Sequence, residues 1–128
     1  MYRQEMEERV AKLNEKISQL KESGVLEKLV QPYVVEQDEK FVMHLSWKIT
    51  ETPEKDCLLL TLDGNLVFAI RNEEQQWLDI EDNVSVEHAV LDLFPQENLV
   101  ERINQGLEEE ISKYADAIKA LVRVLVNR

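Results

Sequence analysis

The sequence predicts an α+β fold: an N-terminal helix, an antiparallel meander of four to five strands, a short helix and a long C-terminal amphipathic helix. Three observations predict it. Apolar residues recur at helical spacing through residues 98–127, and they alternate with period two from Phe41 to Ile49. Asp63-Gly64-Asn65 lies between two strongly apolar runs, as a hairpin turn does. The chain of 128 residues is expected to form one domain, with 1–31 helical, 33–80 in the sheet and 84–127 in two C-terminal helices.

In the first helix, over residues 3–23, Met6, Val10, Leu13, Ile17 and Leu20 follow a heptad spacing for about two repeats. That is shorter than a self-standing coiled coil requires. A parallel self-pair would also set Lys16 against Lys21 across the seam, so antiparallel packing on another helix is expected. Ser23-Gly24 supplies a C-terminal stop, and Val25 to Val30 can form one short helical piece before Pro32.

The period then changes to two. Tyr33 to Glu36 predicts a short strand and residues 38–40 a turn. Phe41, Met43, Leu45, Trp47 and Ile49 share one apolar face of the next strand, opposite Val42, His44, Ser46 and Lys48. Thr50 to Asp56, with Pro53, reads as a polar loop. The runs Cys57 to Leu62 and Leu66 to Ile70 are apolar on both faces, which predicts central strands covered on two sides. After a turn at 72–75, Gln76 to Ile80 reads as the last strand. Asn83 or Ser85 then starts a short helix carrying Val86, Ala89, Val90, Leu93 and Phe94, which Pro95 stops.

The C-terminal helix has Asn98 as its cap and Glu101 where a capping box places an acid. Its apolar positions are Val100, Ile103, Leu107, Ile111, Tyr114, Ile118, Leu121 and Leu125, with one extra residue at the Leu107 to Ile111 step. At ~1.5 Å per residue it would be roughly 45 Å long, more than one small sheet needs for cover. Ala120 to Val126 is apolar nearly all round and is expected to be buried on more than one side. Val124 points away from Leu121 and Leu125, so the two sides need two covers. A homodimer is therefore expected, with Val122, Val124 and Val126 at its interface.

The apolar fraction of 44% and charged fraction of 32% are those of a globular chain. Twelve acids lie between Glu73 and Glu110 against the single base Arg102, which equals the net charge of −11 for the whole chain. With no basic stripe, neither nucleic acid nor an anionic membrane surface is an expected partner. The acidic segment 73–110 instead predicts either a solvated surface or a docking face for a basic protein. No apolar run approaches the length of a membrane span, the first residues lack a signal-peptide core, and Cys57 is the only cysteine. Together these suit a reducing compartment, and a cytoplasmic location is expected.

Motifs that carry chemistry are absent. The glycines at 24, 64 and 106 are isolated and form no phosphate loop. One cysteine and two histidines give no zinc spacing. Asp79, Glu81, Asp82 and Glu87 fail the calcium-loop pattern, because Val84 and Val90 stand where its glycine and last carboxylate belong. Cys57 opens a strand of leucines and reads as a buried hydrophobe rather than a nucleophile served by His44 or His88. No catalytic residue, cofactor or metal is expected. Trp77, beside the acidic run, joins Glu73, Glu74, Asp79, Glu81 and Asp82 as an interface candidate.

In layout alone, the order of helix, antiparallel meander and two helices resembles RWD-type interaction domains, although their tyrosine–proline signature is absent. Small size, acidity and a helix-flanked sheet are also similar to type III secretion chaperones, whose order of strands and helices differs. The expected function is a non-catalytic protein-interaction domain: an adaptor, assembly factor or small chaperone. The competing expectation is a small-molecule-binding protein or minor enzyme, with a pocket between sheet and long helix lined by Met43, Leu45, Trp47 and Phe68.

Overall fold

Strand β3 (Cys57–Thr61) is buried along almost its whole length, and the other elements are arranged on its two sides. The computed structural model describes residues 2–37, 39–71 and 77–126, and their side chains except those of 2, 35–37, 71 and 77–82. In chain order the elements are α1 (Tyr2–Ser23), α2 (Leu26–Leu29), β1 (Gln31–Gln37), β2 (Lys40–Glu51) and β3. They continue with β4 (Leu66–Arg71), β5 (Trp77–Val84), α3 (Val86–His88) and α4 (Leu99–Val126). The α+β layout predicted by the periodicities is the one formed.

Neighbouring strands pair antiparallel in sequence order, with Trp47 opposite Leu60, Leu58 opposite Phe68 and Phe68 opposite Glu81. A parallel bridge, Val35 to Trp77, joins β1 to β5 and closes the meander into a barrel. Closure explains why β3 is apolar on both faces. Leu58 and Leu60 point outward and pack with Trp47, Ile49 and Leu66 under the helices. Cys57 and Leu59 point inward and pack with Val67, Ala69 and the half-buried Tyr33. The β3–β4 connection turns at Gly64 (φ +83°), whose N–H donates to the Thr61 carbonyl at 3.0 Å. That left-handed backbone is open to glycine at no steric cost.

Helix α1 lays its seam of Met6, Leu13, Ile17 and Leu20 on the outward face of the sheet. Arg9 Nη1 donates to the Pro95 carbonyl at 3.1 Å and ties that helix to the chain entering α4. The Ser85 hydroxyl caps α3 by accepting from the His88 N–H at 3.0 Å. The helix then widens to a π-type turn over Ala89–Leu93, closed by the Phe94 N–H donating to the Ala89 carbonyl at 2.9 Å. This wider turn lets Ala89, Val90 and Phe94 all reach the core. Phe94 meets Phe68 edge-on, with ring centroids 6.1 Å apart.

Two expectations need correction. Phe41, Met43 and Leu45 share the face of Trp47 and Ile49, as alternation requires, but they are 50–69% exposed. The β1–β2 hairpin runs past the helices, so its face is apolar without being covered. Ala120 to Val126 is likewise exposed throughout rather than buried on more than one side. Helix α4 packs on the core through the side chains of Leu99, Ile103 and, in part, Val100 and Leu107, and through its backbone at Gly106. Glu109, Glu110 and Lys113 still border a groove with β1 and β2, and beyond them α4 leaves the body.

Candidate interaction surface

The part of α4 that leaves the body forms a bare apolar ridge. Ile111, Tyr114, Ile118, Leu121, Val122, Val124, Leu125 and Val126 are 51–76% exposed. The register change at Leu107 to Ile111 falls where cover ends. Val100, Ile103 and Leu107 face the barrel, while 107, 111, 114, 118, 121 and 125 follow spacings of 4, 3, 4, 3 and 4. These six positions make a heptad seam of their own, and no described residue of the chain lies over its outer part. Residues 111–128 hold four bases and one acid, so the tail carries +3 and residues 1–110 carry −14.

At the base of this ridge the helix is pressed onto the sheet. A Cβ added to Gly106 would stand 2.6 Å from Trp47 Cζ2, closer than such atoms approach. The mid-helix glycine therefore lets the α4 backbone lie directly on the indole. Asn98 Oδ1 accepts from the Glu101 N–H at 3.2 Å, the cap the sequence predicts. Glu97 accepts from Thr50 Oγ1 at 2.7 Å and pairs with Arg102 at 3.5 Å, which fixes the start of α4 against β2.

The predicted interface residues divide. Val122, Val124 and Val126 lie on the ridge, fully available to a partner. Glu73 and Glu74 lie outside the described residues. Trp77, Asp79, Glu81 and Asp82 belong to β5 by backbone register, and their side chains lie outside the description. Of the acids further on, Glu87, Asp92, Glu101, Glu108 and Glu109 are exposed. Asp92 accepts from or is paired with the His88 ring at 2.9 Å, and Glu110 pairs with Lys113 at 3.3 Å.

Of the residues weighed for chemistry, Cys57 and His44 are not brought together. Cys57 pairs with Glu51 at one end of the β2–β3 ladder, and His44 lies beyond the Ser46–Thr61 pair at the other. At ~3.3 Å per residue the two are well over 10 Å apart. His88 is on α3. Around Cys57 is a small polar group: its Sγ lies 3.6 Å from Glu51 Oε2, and Lys48 and Lys55 each approach Glu51 at 3.6 Å. Burial alone would raise the Glu51 pKa, but the two lysines and its hydrogen bonds hold it below the ordinary carboxylate value. Burial, with the nearby Cys57 and Glu51, raises the Tyr33 hydroxyl above its usual range. Among the described residues no three His, Cys, Asp or Glu side chains are gathered as a metal would need. No described helix is long and apolar enough to cross a membrane.

The four residues considered for a ligand pocket do not share one. Met43 and Leu45 line an open depression with Thr61, Leu62 and Asn65, Phe68 packs on Phe94, and Trp47 lies under Gly106 at the floor of a separate groove between the sheet and α4, with Tyr33, Lys48 and Arg102. One surface was missed from sequence: the hairpin patch of Val34, Phe41, Met43 and Leu45. Alternation reveals which side chains share a face and is silent on whether anything covers it.

No protein-family model matches the chain, and no curated protein or solved structure matches it either.

Proposed function

We propose that this chain is a non-catalytic protein-interaction domain, an adaptor, assembly factor or small chaperone of the cytoplasm, that works as a homodimer through the outer half of α4. The observation that carries the reading is the bare ridge from Ile111 to Val126 on a helix anchored at its other end. Contiguous exposed apolar surface of this size is costly in water unless a partner covers it. The acidic segment 73–110 is proposed as a second surface, for a basic protein partner. Separation of Cys57 from His44 along the β2–β3 ladder supports binding over catalysis by that pair.

Complementation of a deletion strain of the source organism tests this. Ile118→Glu with Leu121→Glu, both on exposed positions, is expected to leave the body folded and to abolish complementation. Cys57→Ala, His44→Ala and His88→Ala are expected to complement. A folded His44→Ala chain that fails, beside a tail variant that complements, would overturn the reading.

A further inference from the structure

We infer that the outer seam of α4 is covered by the same seam of a second copy, running antiparallel, so that each tail tip lies against the acidic base of the other copy's α4. This rests on the homodimer proposed above and specifies how the two copies are arranged.

The seam itself argues for a helical partner. Six positions, Leu107, Ile111, Tyr114, Ile118, Leu121 and Leu125, keep strict heptad spacing. A strict seam of this kind is the narrow stripe that one helix presents to another. The stripe carries the face of α4 that packs on the barrel on beyond the end of the barrel's cover, since Ile103 and Leu121, and Leu107 and Leu125, are each five helical turns apart. In an antiparallel pair, alternate seam positions meet. Ile111 then faces Leu121 of the second copy and Tyr114 faces Ile118, while the half-buried Leu107 meets Leu125 of the second copy at the edge of its own barrel. All six positions are used, in symmetric layers, and Ala115 and Ala117 flank the two-fold axis, where small side chains let the helices approach.

Charge selects the direction. The tail from 111 onward carries +3, and the helix base holds Glu97, Glu101, Glu108, Glu109 and Glu110 against Arg102. Antiparallel pairing sets each basic tail beside an acidic base and close to a body of −14. Parallel pairing would stack bases on bases and crowd two acidic bodies together. The off-seam residues flank the tip on two sides, Val122 and Val126 on one and Val124 on the other, so one flank meets the second copy where its α4 borders β1 and β2, beside Gln31 and Tyr33. A partner for that flank is what a seam alone would not provide.

The area suffices. Eight large side chains about two-thirds bare leave about 500 Å² of apolar surface per copy, at roughly 100 Å² per side chain. With the tips seated on the opposite bodies, the contact approaches the roughly 800 Å² per partner of a standard stable interface.

The test uses the full chain in a Cys57→Ala background, with Ile111→Cys and Leu121→Cys together. Light scattering of the unmodified chain at 10–100 µM, roughly the range of ordinary dimers, is expected to give twice 15.0 kDa. Oxidation of the double variant, followed by digestion and mass spectrometry, is expected to give a link between position 111 of one copy and position 121 of the other. Links of 111 to 111 and 121 to 121 would overturn the antiparallel geometry while leaving the tail as the interaction element. A monomer across the whole concentration range would overturn the homodimer itself, and with it the arrangement. Complementation by the tail variants, measured separately, then decides whether the tail binds another protein.

Discussion

Gly106 carries more of the architecture than its size suggests. Helix propensity alone favours alanine there by about 1 kcal/mol. The added methyl would meet the Trp47 ring at 2.6 Å, and Trp47 is itself buried among core residues, so the ring has little room to yield. Overpacking of this kind costs about 1–3 kcal/mol. Gly106→Ala is therefore expected to lower stability in a denaturant titration, against its propensity. A gain in stability would mean that α4 does not rest on Trp47. Ser46 provides the opposite case. Among the described residues its buried hydroxyl has no hydrogen-bond partner, and an unsatisfied buried polar group costs about 1–3 kcal/mol. Ser46→Ala removes that cost along with one small atom, so it is expected to be neutral or stabilising in the same titration. A loss above about 1 kcal/mol would show that the hydroxyl has a partner, such as a buried water. Neither residue could be singled out by sequence. Gly106 reads there as an isolated glycine and Ser46 as a polar-face residue, because both effects depend on which side chain stands opposite.

At the scale of elements, periodicity recovered α1, β2, the β3–β4 hairpin and α4 with its Asn98 cap, since each of these is determined by spacing and local turn chemistry. Cover is a property of the assembly, and it was misread in two places. The apolar face of β2 extends past the helices at Phe41, Met43 and Leu45, and α4 extends past the barrel at Ile111. Barrel closure through Val35 and Trp77 was also beyond a meander reading, because a parallel bridge leaves no local signature. The projecting part of α4 has a thermodynamic consequence. A ridge that contributes nothing to the fold of one copy should contribute to stability only through association, by mass action. The midpoint of thermal unfolding is expected to rise with protein concentration for the natural sequence. For Ile118→Glu it is expected to be independent of concentration and to match the natural sequence at high dilution. An Ile118→Glu midpoint well below that dilute limit would place Ile118 in the core of its own copy.

The whole molecule is a dipole of unequal parts, −14 over residues 1–110 and +3 over the rest. Two forces then act on association, and salt separates them. Attraction between an exposed basic tail and an acidic body is screened beyond ~8 to 10 Å near physiological ionic strength. Burial of the apolar seam is not weakened by salt and is strengthened by excluded anions such as sulfate. In sodium chloride the dimer is therefore expected to weaken as concentration rises from about 0.02 to 0.5 M, by roughly a factor of ten, the scale of about 1.4 kcal/mol of surface electrostatics. It is then expected to hold at the level the seam sustains. Sedimentation equilibrium at several salt concentrations reads the dissociation constant directly. Lys119→Glu with Arg123→Glu reverses much of the tail charge without touching the seam, and this variant is expected to dimerise more weakly at low salt and to gain affinity as salt rises. A dimer indifferent to both salt and charge reversal would leave the apolar seam as the whole of the contact and return the charge of residues 73–110 to keeping the chain dispersed in water.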